Sequence, residues 1–434
     1  MGDQMMVWRD EQEADGRVER VAALDIAKAS AVVCLRVPGA GARRVQRTWK
    51  VAALTSAINE LGDLLVCQGV ELVVMEATGD YWRPFFYLLE SRGLRVWLVN
   101  ARDVKNVPGR AKTDRLDAVW LAKLAERGML RASFIPPRPV RELQDLTRLR
   151  EVLVGERTRY RNRVEKVLED ALIKLSLEAS DLFGVSGRAM LDALVSGQRS
   201  PAVIADLARG TLRNKIPALR KTLEGRFTEH HAYQLRLLLA NNDRLDAQIA
   251  ELDAEIERRI RDLEAGGPRP PDGMGVLERL DEIPGVGRAC AQAIVAEIGL
   301  DMSAFPTPGH LASWAKLTPR AIQSGSKNTH GPTGKGNRWL KGPLGQAANS
   351  AKRGQTFLGA RYRRLIRHMP KKKAQTAIAR NILEIAWHLI NDPALRFRDL
   401  GPDWHERHLN QARATRNHQR ALENLGYTVT LTRA

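Results

Sequence analysis

The sequence predicts a three-part chain: an α/β layer first, a helical coiled-coil middle, and a mainly α C-terminal part. Short apolar runs alternate with helical stretches before residue 132, and apolar residues step by three and four through residues 235–263. Two stretches rich in proline and glycine punctuate the chain.

The first layer rests on strands expected at Val21 to Asp25, Ala31 to Val37, Val70 to Met75 and Leu94 to Val99, with helices over Val51 to Cys67 and Trp82 to Arg92. Such alternation is that of an α/β layer. Residues 1–20 read as an acidic N-terminal extension and 21–132 as the first domain. SFIPPRP at 133–139 cannot continue a helix and reads as a linker.

Residues 140–265 are charged and nearly strand-free. There Leu235, Leu238, Leu245, Ile249, Leu252, Ile256 and Leu263 make a coiled-coil seam. Asn242 lies on the same seam, where a polar residue can fix partner and register. The helix from Val140 to about Leu177 can pair with it inside the chain or across subunits. GGPRPPDG at 266–273 is a second linker, 274–395 a third domain, and 396–434 a polar, mildly basic tail.

A chain of 434 residues with 44% apolar content can bury at least two cores. Its 69 Lys and Arg against 50 Asp and Glu leave a net charge of +19, which calls for a polyanionic partner. From Met302 to Leu383 there are sixteen Lys or Arg and no acid, whereas a merely solvated basic face would intersperse acids. Cys34, Cys67 and Cys290 are odd in number and far apart, which excludes a disulfide framework and a zinc knuckle and points to a reducing cytoplasm. No run of about 18 apolar residues and no apolar signal core is found, so no membrane partner is expected.

Four carboxylates stand in informative places. Asp25 closes the strand of VAALDIAKAS and Glu76 that of VVMEATGDYW; Asp114 and Asp117, in KTDRLDAVW, are three apart and share a helix face. Strand ends and a helical first turn can converge, and clustered carboxylates repel unless a hard cation neutralises them. Magnesium or manganese is the expected ligand, and such ions serve phosphoryl transfer.

Further on, LDEIPGVGRACAQAIVAEIG at 280–299 reads as helix, turn and helix, similar to a helix-hairpin-helix. Gly285 and Gly287 would let its backbone approach a phosphate. LTPRAIQSGSKNTHGPTGKGNRWLKGPL follows, with Ser324 among Lys327, Lys335, Asn337 and Arg338. That is a polar, glycine-rich loop suited to phosphates and to a hydroxyl nucleophile. No glycine stands five residues before a Gly-Lys pair, so no nucleotide triphosphate is expected. His330 alone, and His405 with His408 on the tail, lack the further partners a base or a zinc site needs.

The phrases LDIAK, MEATGDYW and KTDRLDA resemble the RuvC-like nuclease domain, of RNase H-like fold, in its DEDD version. The hairpin, QSG and the TGKGNRWLK run resemble the C-terminal domain of the one-ten family of insertion-sequence transposases, the bridge-RNA-guided recombinases. That resemblance implies a site-specific recombinase that cuts and rejoins donor and target DNA under a noncoding guide RNA. It implies a homo-oligomer, dimer or tetramer, in the bacterial cytoplasm and on the nucleoid when bound to DNA. It maps the nucleophile to Ser324. The chain departs from the family run in two places. Ser326 stands where glycine is common, and TGKGN alters the usual threonine-lysine-x-glycine-asparagine, which bears on Lys335. The competing readings are a junction-resolving metal nuclease without a covalent intermediate and a basic architectural DNA-binding protein. The latter leaves the four acids unexplained.

Overall fold

The computed structural model describes residues 18–39, 43–76, 79–100, 114–267, 270–271, 273–325, 327–408 and 411–431. Within its helices and strands, the side chains of Asp114, Arg115, Ala321, Ser324, Lys327, Asn328, His330 and residues 411–414 are outside the description. Two compact units part between Ile135 and Pro136.

The first unit is built on a five-stranded sheet of β1 (Val21–Ile26), β2 (Ser30–Pro38), β3 (Arg44–Ala52), β4 (Leu72–Glu76) and β5 (Val96–Val99), in the order β3-β2-β1-β4-β5. β1 to β3 form an antiparallel meander, while β1, β4 and β5 are parallel. The parallel strands need covered faces, and their runs are correspondingly apolar. Helices α1 (Thr55–Cys67) and α2 (Trp82–Glu90) cover one face, packing Ile58, Leu61, Leu65, Phe85 and Leu89 on Ala22, Leu24, Val73 and Met75. Helix α3 (Asp114–Glu126) covers the other, laying Ala118, Leu121, Ala122 and Ala125 on Val21, Ala23, Leu72 and Val74.

Strand β3 replaces what the sequence suggested as the start of a helix at Val51: the helix begins only at Thr55. Most of β3 is exposed or half-buried, as befits an edge strand with one neighbour, so its run RVQRTWKVA lacks the apolar signature of the inner strands.

The second unit opens with α4 (Arg138–Asp170). The prolines that the sequence presents as a linker start this helix: Pro137 is its N-cap and Pro139 lies in its first turn, where a missing N–H is harmless. Helices α5 (Val185–Val195), α6 (Pro201–Ala205) and α7 (Ile216–Thr222) follow, then α8 (Glu229–Ala265). Ion pairs and hydrogen bonds join Glu142 to Arg259, Arg150 to Asp253, Arg157 to Asp246 and Asp170 to His231. Partner numbers rise in one helix as they fall in the other, so α4 and α8 form an antiparallel hairpin within the chain.

That hairpin uses most of the predicted seam. Leu235, Leu245, Ile249 and Ile256 are buried, but Leu239 and Ile260 take the places expected for Leu238 and Leu263. Asn242 is also buried and accepts a 3.0 Å hydrogen bond from Arg161 Nε, so its polar group fixes register between α4 and α8.

After α8 come α9 (Val276–Asp281), α10 (Arg288–Ile298), α11 (Pro308–Trp314), the hairpin β6 (Ala321–Ser324) and β7 (Lys327–His330), α12 (Arg338–Ala351), α13 (Phe357–Leu365) and α14 (Lys371–Asn391). The tail holds α15 (Trp404–Arg407) and α16 (Gln411–Asn424). Among the described residues no helix is long and apolar enough to cross a membrane.

Candidate active site

In the first unit the sheet sets the acids. Leu24 pairs with Met75 in register, so the next residues, Asp25 and Glu76, are neighbours at the C-terminal ends of two adjacent parallel strands. Strand side chains alternate faces. Asp25 shares the parity of Val21 and Ala23, and Glu76 that of Leu72 and Val74, which is the face covered by α3.

The direction of α3 follows from its last residue. Glu126 accepts hydrogen bonds from Arg36 Nε at 2.7 Å and Arg44 Nε at 2.6 Å, and Arg36 is the register partner of Val21. The helix therefore runs back along β1 from the Val21 end. Nine residues of helix from Glu126 to Asp117 span about 13 to 14 Å. Four residues of strand from Val21 to Asp25 span about 13 Å. Asp117 thus lies level with Asp25 and Glu76, and the half-buried Asp117 flanks the face that holds Ala118 and Leu121.

Asp114 is one turn further; its side chain is outside the described residues, as is the chain at residues 77–78 and 101–113. Asp25 and Asp117 each have further interactions of their own. Among the described residues no three His, Cys, Asp or Glu side chains already close around an ion.

In the second unit, Ser324 is the last residue of β6 and pairs with Lys327 across a two-residue turn whose first member, Gly325, has φ +57°. A positive φ there matches the tight hairpin turns that twist with the strands. The first part of the expected glycine-rich loop is therefore a short ribbon, closed at its base by Gly331 N donating to Arg320 O at 2.7 Å. The side chains of Ser324 and Lys327, and Ser326 altogether, lie outside the described residues.

Lys335 and Arg338 are exposed, with the Arg338 guanidinium 4.1 Å from the Trp339 ring centroid. Asn337 does other work. As N-cap of α12, its Oδ1 accepts from Trp339 N at 2.9 Å, and its Nδ2 donates to Glu297. Both ends of the amide are thus engaged within the protein.

The glycines of the α9–α10 turn divide likewise. Gly285, at φ +88°, touches α12 so closely that a Cβ would stand 2.3 Å from Ala347 O, so its close approach is to protein. Gly287, the N-cap of α10, has open space around it and an exposed backbone end.

Sequence reasoning missed Glu297. It is 1% exposed and bound by donors on every side: Arg148 Nε at 2.9 Å and Nη2 at 2.8 Å, Gln144 Nε2 at 3.4 Å, and Asn337 Nδ2. It ties α4, α10 and the start of α12 together. The available signal was a single acid inside the otherwise apolar run AIVAEIG.

The first unit thus has acids at one end of a mixed sheet and the second has the Ser324 ribbon; comparison with known proteins gives the class. Residues 22–173 match the DEDD model of the IS110 family, described as "Transposase", and residues 277–363 match the model of the IS116/IS110/IS902 transposases. A probable family 20 transposase of Pseudomonas aeruginosa is 25% identical over 74% of this chain and 84% of its own. The transposase of insertion sequence element IS1111A from Coxiella burnetii is 25% identical over 80% of this chain and 82% of its own. A 43.6 kDa protein of insertion element IS110 from Streptomyces coelicolor is 29% identical over 54% and 59%. The chain is an insertion-sequence transposase. It belongs to the IS110 family.

Proposed function

We propose that this transposase cuts and rejoins donor and target DNA by phosphoryl transfer, with the four acids of an RNase H-like (RuvC-like) first domain and Ser324 as nucleophile. The observation that supports the reading most is the placement of Asp117 on α3 level with Asp25 and Glu76. The sheet order β3-β2-β1-β4-β5, a meander followed by two parallel strands, accords with that fold.

Asp25, Glu76, Asp114 and Asp117 offer hard oxygen donors of the kind Mg²⁺ or Mn²⁺ takes, and their mutual repulsion suits a site that holds a cation. When bound, such ions neutralise charge on a phosphate and its leaving oxygen. The Ser324 hydroxyl attacks the phosphorus, the bond to the departing sugar oxygen breaks, one proton leaves the serine and one joins the departing oxygen. The ester keeps the bond energy, so a second DNA hydroxyl can displace the serine without ATP. Lys335, Arg338 and the open N–H end at Gly287 supply backbone affinity without reading sequence. Choice of sequence falls to a guide RNA, which the family resemblance implies. Assembly into a dimer or tetramer needs a surface other than the α4–α8 seam, which is used inside the chain.

The test is denaturing electrophoresis after incubation with labelled donor and target DNA, guide RNA and magnesium. A covalent adduct that maps to Ser324 and disappears in Ser324→Ala but persists in Ser326→Ala is expected. Recombination without any adduct would favour a metal nuclease that hydrolyses or transesterifies directly. Full activity of Asp25→Ala would remove the carboxylate site.

A further inference from the structure

Where α13, α14 and the tail meet, three buried polar atoms have no hydrogen-bond partner among the described residues: Arg361 Nε, Asn381 Oδ1 and His405 Nε2. Desolvated polar atoms without partners are rare in folded proteins, and each costs free energy that something else must offset.

The tail is held there by its own contacts. Arg396 pairs with Glu282, and Asp399 Oδ1 accepts from Phe357 N at 3.0 Å. The Trp404 and His405 rings pack on Phe357 with centroids 5.4 and 5.3 Å away, and Trp404 stacks on His408 at 4.3 Å. This docking carries His405 to Arg361 and Arg364; Arg364 and His405 lie beyond residue 363, where the family match ends.

The group is strongly positive. Burial, then Arg364, lowers the pKa of Arg361; Glu384 acts the other way and Arg380 adds to the lowering. Burial, then Arg364, Arg361 and His408, lowers that of His405. Glu384, the one acid acting on Arg361 among the described residues, already accepts from Arg380 at 2.7 Å and Asn381 Nδ2 at 3.2 Å. Arg361 is only half-buried and Arg364 is exposed, so the cations are open to a ligand from solvent.

We infer that Arg361, Arg364 and His405 form a phosphate-binding site for the backbone of a nucleic acid, completed by the docked tail. The inference rests on the nucleic-acid role proposed above. A phosphodiester supplies acceptor oxygens and countercharge to the Arg361 and Arg364 guanidinium groups, whose geometry suits phosphate, and to His405 when Nε2 carries the proton; Asn381 Oδ1, itself an acceptor, is not met by it.

The test uses the full chain, with Arg361→Met, which keeps the stem and removes the charge, and His405→Phe, which keeps the ring packing. Inorganic phosphate should raise the wild-type melting temperature beyond chloride at matched ionic strength, and that gain should vanish in Arg361→Met and shrink in His405→Phe. Without ligand, Arg361→Met should melt no lower than the wild type, since it removes a desolvated charge. A merely structural arginine would lower it.

Binding is then measured against salt on duplex DNA and on structured RNA. The logarithmic slope should shrink by about 0.9 for a lost duplex-DNA phosphate, or about 0.7 on a single strand, and the polymer whose slope shrinks is the source. An equal phosphate gain in wild type and Arg361→Met overturns the site. Loss of that gain with both slopes unchanged leaves a free-anion site and overturns the backbone assignment. A wild type that binds neither polymer overturns the proposed function as well, whereas normal wild-type binding confines any of these failures to the present assignment.

Discussion

Glu297→Gln is the most informative single substitution in the second unit. The side chain keeps its shape, but its hydrogen-bond partners Arg148, Gln144 and Asn337 all present donors to it, and Arg148, which has no acceptor to offer the new NH2, loses its countercharge. Hydrogen bonds to a charged group contribute about 1.5 to 3 kcal/mol. Removing one partner of a buried pair costs about 3 to 5 kcal/mol. Arg148 is 24% exposed against 1% for Glu297, so the freed guanidinium regains some water and the lower end applies, about 3 kcal/mol. Denaturant unfolding measures this directly. A second change, Asn337→Asp, turns the contact round: the amide introduced by Glu297→Gln would donate to the new carboxylate, which still caps α12, since Asp serves as well as Asn there. The double variant should recover about 1 kcal/mol or more over the sum of the singles. A loss below about 1 kcal/mol in Glu297→Gln, or strict additivity in the double variant, would refute the donor-only cage.

Burial raises the Glu126 carboxyl, but the Arg36 hydrogen bond and the charges of Arg36 and Arg44 outweigh it and hold it below the usual 4.5. A depressed carboxyl contributes stability above its unfolded pKa and loses it as pH falls through the folded one. Melting should therefore fall below about pH 4.5 in the wild type and less steeply in Glu126→Gln; parallel curves would remove the anchor of α3. Burial raises Cys34 to about 11, against Arg36 and Lys123, and Cys290 to about 12, while Cys67 is exposed. The thiolate is the reactive form, so a native-state maleimide should label Cys67 alone by mass spectrometry. Rapid labelling of Cys34 or Cys290 would contradict their packing. In α8, Leu245→Ala should destabilise by about 2 to 5 kcal/mol. Leu237→Ala, at a position 48% exposed, should stay within about 0.5 kcal/mol in the same denaturant assay, and equal effects would deny the seam.

What the sequence could and could not disclose follows from which interactions are local. β1, β2 and β4 were legible because inner strands bury both faces and read as apolar runs, and β5, although it is the other edge, because its short run VWLV is itself apolar. β3 was not, because an edge strand with exposed polar residues has the composition of a loop. The α4–α8 hairpin was legible as a seam, but its choice of partner depends on residues about a hundred positions apart, such as Arg150 and Asp253, that no window of sequence compares. Residue type also misled where one type serves two purposes. Gly285 and Gly287 look alike in IPGVG, yet a Cβ at the first would strike α12 and at the second would meet nothing. Asn337 looks like a phosphate ligand among glycines and bases, yet one of its amide N–H groups is turned to Glu297, forty residues earlier.

The carboxylates show the converse. Their positions at strand ends and on a helix face were readable one at a time, but only the pairing of Arg36 with both Val21 and Glu126 gives α3 its direction. With the opposite direction Asp114 and Asp117 would lie beside Val21, about 13 Å of strand from Asp25, and no single cation could be shared. The case for one shared site in the first unit therefore depends on a part-buried ion pair that involves none of the four acids, and reversing α3 would undo it without changing any of them.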